Sequence, residues 1–120
     1  MKVDLQDIVI FVKGKNKGEN MHYYYYLNGK EVIACEDVIE WAQKFEFENR
    51  TIEKTEINEI LISTVFLGVN YNFGNGDPLL FETMVFGGKL DGEQDRYSTW
   101  DEAEKGHQEM VKRVEESINE

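Results

Sequence analysis

The sequence predicts an α+β fold: a single antiparallel sheet of four to six strands with two helices packed on one face. β-branched and aromatic runs, separated by Gly- and Asn-rich turns, recur through the first hundred residues. Apolar residues take up helical spacing in two places, after Glu36 and after Thr99. Asn28-Gly29 and Asn58-Glu59 read as tight turns, which make the strands on either side antiparallel neighbours. A chain of 120 residues, 41% hydrophobic and 12% aromatic, has enough apolar side chain for one core and too little length for two domains of ordinary size.

Asp7-Ile8-Val9-Ile10-Phe11-Val12 is a β-branched strand candidate, and the polar Lys13–Gly18 run after it is linker-like. Residues 1–20 therefore read as an N-terminal strand and flexible extension, dispensable for folding, ahead of a single α+β domain over 21–120. His22–Leu27 is an aromatic strand that turns at Asn28-Gly29 and returns through Lys30–Ala34. Tyr23, Tyr24, Tyr25 and Tyr26 alternate between its faces, which leaves two readings: a sheet face that presents two tyrosines as a contact surface, or tyrosines covered by a loop or strand.

From Glu36, the spacing of Val38, Trp41, Ala42 and Phe45 predicts a helix of about eleven residues, with Trp41 anchoring it to a sheet and acidic residues at its N-terminal end. Ile52–Ile57 alternates as a half-exposed strand. Ile60–Gly68 is apolar on both faces and therefore central, as is Leu79–Phe86. Between them, Asn70–Pro78 is loop, with two glycines and three asparagines. After Gly87-Gly88 and a turn at Leu90–Glu93 comes a short strand, Asp95-Arg96-Tyr97. Thr99 and Glu102 make a capping box for a final helix with the apolar stripe Trp100, Ala103, His107, Met110, Val111, Val114 and Ile118.

The net charge of −11 is uneven: +1 over residues 1–20 and −12 over 21–120. So acidic a surface repels phosphate backbones, which argues against direct nucleic-acid binding. Acidity serves solubility on one reading and imitation of nucleic acid toward a basic partner on the other. The longest apolar run is far short of the roughly 20 residues that span a bilayer, and no secretion signal stands at the start. A lone Cys35 excludes an internal disulfide and reads as a small buried hydrophobe. Asn49-Arg50-Thr51 matches a glycosylation acceptor by chance.

Two histidines and one cysteine at no ligand spacing give no metal site. Gly74-x-Gly76 precedes a strand where a dinucleotide fingerprint must precede a helix, and no Walker-type Gly-Lys-Ser or Gly-Lys-Thr occurs. No cofactor is implied. One polar cluster stands out: Glu82 and Thr83 in an apolar strand, Arg96 on a short neighbouring strand, and His107 on the helix stripe. It reads as a structural ion pair with a core histidine, as a ligand-recognition site, or as an acid–base pair. A pocket between the Asn70–Asp77 loop and the sheet end carrying Arg96 is the candidate binding site. There Tyr71, Asn72, Phe73 and Asn75 supply stacking faces and amides, and Arg96 supplies a cation for an anionic ligand.

Three ordered blocks, Ser63-Thr64-Val65-Phe66-Leu67-Gly68, Leu80–Gly88, and Arg96–Trp100 leading into Glu102-Ala103-Glu104-x-Gly106-His107, resemble a family of small bacteriophage and prophage proteins. The resemblance runs from about Met21 to about Val114. It implies an accessory protein in the cytoplasm of an infected bacterium, acting without catalysis by stoichiometric binding, as inhibitors of antiviral defence do. The partner implied is a host protein or a small nucleotide-like ligand; a minor enzyme is the remaining alternative, and homo-oligomerisation stays open.

Overall fold

The computed structural model describes residues 23–45, 49–72, 74 and 76–119. The Asp7–Val12 strand, the linker after it, Phe73 and Asn75 lie outside the described residues. The fold is α+β, but the strands form two antiparallel sheets, not one. β1 (Tyr24–Asn28) and β2 (Glu31–Cys35) make a hairpin, and β3 (Thr51–Ile57), β4 (Ile60–Phe66), β5 (Phe81–Phe86) and β6 (Gln94–Tyr97) make a four-stranded meander. α1 (Val38–Lys44) packs on the hairpin and α2 (Trp100–Ile118) on the meander, so the two helices do not share a sheet.

The split follows from the end of β4. Beyond Phe66 the chain turns at Gly68, whose φ of +76° suits glycine and whose missing side chain leaves the space that the Phe45 ring fills. The hairpin then meets residues 68–70 through only a short run: Tyr25 N donates to Gly68 O at 2.8 Å and Asn70 N to Tyr23 O at 2.9 Å. Asn28 pairs with Glu31, so the hairpin turn is Gly29-Lys30, one residue later than Asn28-Gly29. Gly29, at φ +64°, takes the first central position, where positive φ matches the strand twist. Asn58-Glu59 does form the β3–β4 turn, with φ of +47° and +68°.

α1 is shorter than its periodicity suggests. Asp37 caps it by accepting from Ile39 N at 2.8 Å, and Phe45 leaves the helix while its N–H still donates to Trp41 O at 2.7 Å. α2 begins where the capping box places it: Thr99 Oγ1 accepts from Glu102 N at 3.1 Å. The Glu102 carboxylate receives the Thr99 hydroxyl, at 2.9 Å, in place of the backbone N–H.

Register explains the layering under α2. Directly opposed residues share a sheet face, so the rows Phe66–Phe81, Thr64–Thr83 and Ile62–Val85 all face the helix. The first row joins an aromatic core with Tyr24, Trp41, Phe45, Leu80 and Ala103. The third joins an aliphatic core with Ile60, Met110 and Val114. A polar row lies between two apolar clusters. Of the predicted stripe, Ala103, His107, Met110 and Val114 are buried, whereas Trp100 and Val111 are half-buried and Ile118 is exposed.

Gly106 completes the helix face. A Cβ there would clash with the Tyr97 side chain, whose Cζ, hydroxyl and Cε1 pack against the helix at that point. Gly106→Ala should therefore lower stability by about 1–3 kcal/mol through overpacking, even though alanine gains about 1 kcal/mol in helix propensity. A thermal midpoint that rises instead would mean that Tyr97 is free to move aside.

Candidate functional site

Glu82 and Thr83 are neighbours in β5, so their side chains leave opposite faces of the sheet. The predicted cluster of Glu82, Thr83, Arg96 and His107 is thereby divided into two pairs. Thr83 and His107 lie under α2, joined through Thr64; Glu82 and Arg96 meet on the face away from it.

Under the helix, His107 is 0% exposed and both ring nitrogens are bonded. Nδ1 lies 2.7 Å from Thr64 Oγ1 and Nε2 lies 2.8 Å from Thr55 Oγ1. Thr64 Oγ1 continues to Thr83 Oγ1 at 2.5 Å, and Thr83 to the Tyr97 hydroxyl. The neutral imidazole donates from one nitrogen and accepts at the other, so the interior hydroxyls of Thr64 and Thr83 can each donate once and accept once along the row, whichever way it runs. Glu53 reaches His107 Nε2 at 3.5 Å from the sheet edge and is itself held by Gln108 at 2.7 Å. Burial pushes the imidazole below its ordinary value, with the Glu53 carboxylate opposing. A histidine closed on all sides cannot exchange protons with a bound substrate; its geometry is that of a core residue.

On the other face, Glu82 is 4% exposed and accepts from Arg96 Nε at 3.0 Å. The Arg96 guanidinium lies over the Tyr71 ring, 4.8 Å from its centroid. The structure thus brings together Tyr71 and Arg96 of the predicted loop site. Asn72 is turned to other work: its side chain donates to Asp77 O at 2.9 Å and accepts from Gly74 N at 3.1 Å, which shapes the loop. Asn70 anchors the same loop, its Oδ1 accepting from Asn72 N and Leu79 N at 2.8 and 3.1 Å.

Sequence reasoning missed Arg50. It precedes β3 in the chance Asn49-Arg50-Thr51 match, yet it is 5% exposed and both terminal guanidinium nitrogens are buried without a hydrogen-bond partner among the described residues. Burial pushes the guanidinium below the usual arginine value, while nearby Tyr71 and Glu82 oppose the shift. The only local signal was a charge at the start of an alternating strand, and nothing in such a pattern tells a buried charge from a solvated one.

Among the described residues, two cavities include Arg50. The larger, about 270 Å³, lies between the hairpin, the end of α1, β4 and the start of α2, and is lined by Leu27, Gly29, Lys44, Phe45, Asn49, Arg50, Phe66 and Trp100. The smaller, about 60 Å³, lies on the sheet face with Ser63, Val65, Glu82, Met84 and Phe86. The larger cavity is at the hairpin, away from the predicted loop site. Of the tyrosines, Tyr24 is buried against Trp41, with ring centroids 5.7 Å apart, and Tyr23, Tyr25 and Tyr26 are half-buried. α1 packs on their strand and the Lys44 ammonium lies 5.0 Å from the Tyr26 ring centroid, so none of the four is fully exposed.

Among the described residues no group of three or more His, Cys, Asp or Glu side chains converges as metal ligands, and no helix is long and apolar enough to cross a membrane. The Cys35 thiol is buried, donates to Asp37 O at 3.4 Å, and is pushed up by burial. No family model, curated protein or solved structure matches this chain.

Proposed function

We propose that this chain is a non-enzymatic binding protein that sequesters a small, anionic, nucleotide-like ligand one to one. The observation that carries the reading is the 270 Å³ cavity. Its walls combine aromatic faces from Phe45, Phe66 and Trp100 with the amide-bearing Asn49 and the cation of Lys44 at the rim. Concave sites of this kind, apolar with a few polar groups, hold small ligands, and the volume suits one base-sized ring better than a large cofactor. Arg50, which also lines the cavity, and Lys44, which shares its charge with Glu40 at 3.2 Å, give a negative ligand local attraction in an otherwise acidic chain. A flat tyrosine docking face is less well supported, because the tyrosine strand is largely covered.

The three sequence blocks add an origin to this reading, an accessory phage protein in an infected bacterium. Sequestering a nucleotide-like signal is one way for such a protein to blunt a host defence. Isothermal titration against a panel of mono- and dinucleotides tests the binding. We expect at least one member to bind with a stoichiometry of one, and Lys44→Glu, an exposed charge reversal at the rim, to weaken it about tenfold or more. Should no nucleotide bind while a host protein is retained at one-to-one stoichiometry, docking replaces sequestration as the function.

A further inference from the structure

We propose that Arg50 anchors a second site, on the sheet face away from α2, that takes a single oxyanion: a carboxylate on a short apolar stem, or a phosphate. Arg50 is 5% exposed, and among the described residues neither of its terminal nitrogens has a hydrogen-bond partner. A buried guanidinium with a vacant fork is a costly arrangement unless something completes it, since buried charges are normally paired and hydrogen-bonded. Glu82 does not complete it. Its carboxylate is bonded to Arg96 Nε, at 3.0 Å.

Charge fixes the class of ligand. Arg50 and Arg96 carry two positive charges and Glu82 one negative, so the cluster holds one uncompensated positive charge inside a chain of net charge −11. One anionic group neutralises it. The guanidinium fork presents its N–H groups in the plane and spacing that carboxylate and phosphate oxygens accept in pairs. The cavity of about 60 Å³ has room for such a headgroup and little else. Val65, Met84 and Phe86, the last 44% exposed, continue it as an apolar lip on which a short hydrocarbon stem can lie. Tyr71 beneath the Arg96 guanidinium holds that second cation in place beside the site.

Arg50 also lines the larger cavity, so the test uses Lys44, which lines that cavity alone, to separate this site from the nucleotide reading. Thermal unfolding is followed in butyrate, in inorganic phosphate, and in chloride at equal ionic strength. We expect one or both oxyanions to raise the midpoint by about 5 °C over chloride once present at about ten times the dissociation constant. Which of them does so identifies the headgroup. Arg50→Met, which keeps the length and removes the charge, should melt higher than wild type in chloride and lose the oxyanion shift, whereas Lys44→Glu should keep it. In the wild-type protein, the Arg50 Nε–H resonance should move on titration with the same anion, a readout that does not require the variant to fold. Equal midpoints in all three salts, an Arg50→Met protein that retains the shift, or an unmoved Arg50 resonance would each overturn the proposal.

Discussion

Replacing Trp41 with alanine is expected to lower the unfolding free energy by about 3–5 kcal/mol, the range for deleting a large aromatic side chain from a packed core. Trp41 is 0% exposed. Its ring stacks on Phe45 at 4.9 Å and tilts against Tyr24 at 5.7 Å, and its Nε1 donates to Tyr25 O at 2.7 Å. Phe45 passes the contact to Phe66 at 5.8 Å, and Phe66 to Phe81 at 5.2 Å. Trp41 is thus the first member of an aromatic series that ties the hairpin and α1 to the four-stranded sheet. Set against the 5–15 kcal/mol that holds an ordinary domain together, its loss removes a large share. Trp41→Phe, which keeps the stacking and loses the indole donor, should cost less. Denaturant titration followed by far-ultraviolet circular dichroism measures both. If Trp41→Ala left the main transition in place and only added an early minor one, the hairpin and α1 would be a separate unfolding unit.

Trp100 makes the contrast. Both tryptophans sit on amphipathic helices, and periodicity alone ranks them alike. Yet Trp100 is half-buried, meets Phe81 edge-on at 6.3 Å, and has its indole N–H on the Glu104 carboxylate. Periodicity reports which face of a helix is apolar, but not how deep each position on that face lies.

The same limit runs through the fold. β4, β5, the Asn58-Glu59 turn and the Thr99 cap were legible because each is set by side chains within a few residues of one another. The division into two sheets was not, because it depends on the Phe45 ring meeting Gly68, 23 positions away in the sequence. The polar cluster was legible in its composition but not in its grouping. Alternation along β5 requires Glu82 and Thr83 to part, and only the pairing of Glu82 with Arg96 and of Thr83 with Thr64 says which partner each one finds. Arg50 was illegible, since its burial comes from strands that lie beside it only in the folded chain.

Replacing His107 with alanine is expected to cost about 3–5 kcal/mol at neutral pH and also to change how stability depends on pH. The magnitude has two sources: a cavity under α2, and the hydroxyls of Thr55 and Thr64 left without their ring partners. The pH effect follows from burial. The folded-state value lies below the ordinary 6.5, because burial disfavours the imidazolium more than Glu53 favours it. The unfolded chain therefore takes up a proton near pH 6.5, while the folded chain does so only at lower pH. Between these two values the unfolded state holds more protons, so stability falls as the pH falls, by up to about 1.4 kcal/mol per unit. Above about 6.5 the stabilisation is fully present, and below the folded value the loss is complete. Protonation of the ring makes both nitrogens donors, so whichever of Thr55 and Thr64 donates to the neutral ring must turn its hydroxyl away in order to accept. The wild-type protein should thus lose stability on the acid side of pH 6.5 before carboxylates begin to titrate near pH 4, and His107→Ala should lose less over that window, where His22 is the one histidine left to titrate. Denaturant midpoints at half-unit intervals from pH 7.5 to 5 decide it: parallel profiles for the two proteins would mean that His107 takes up its proton equally well folded and unfolded, and that the threonine row does not discriminate against the charged ring.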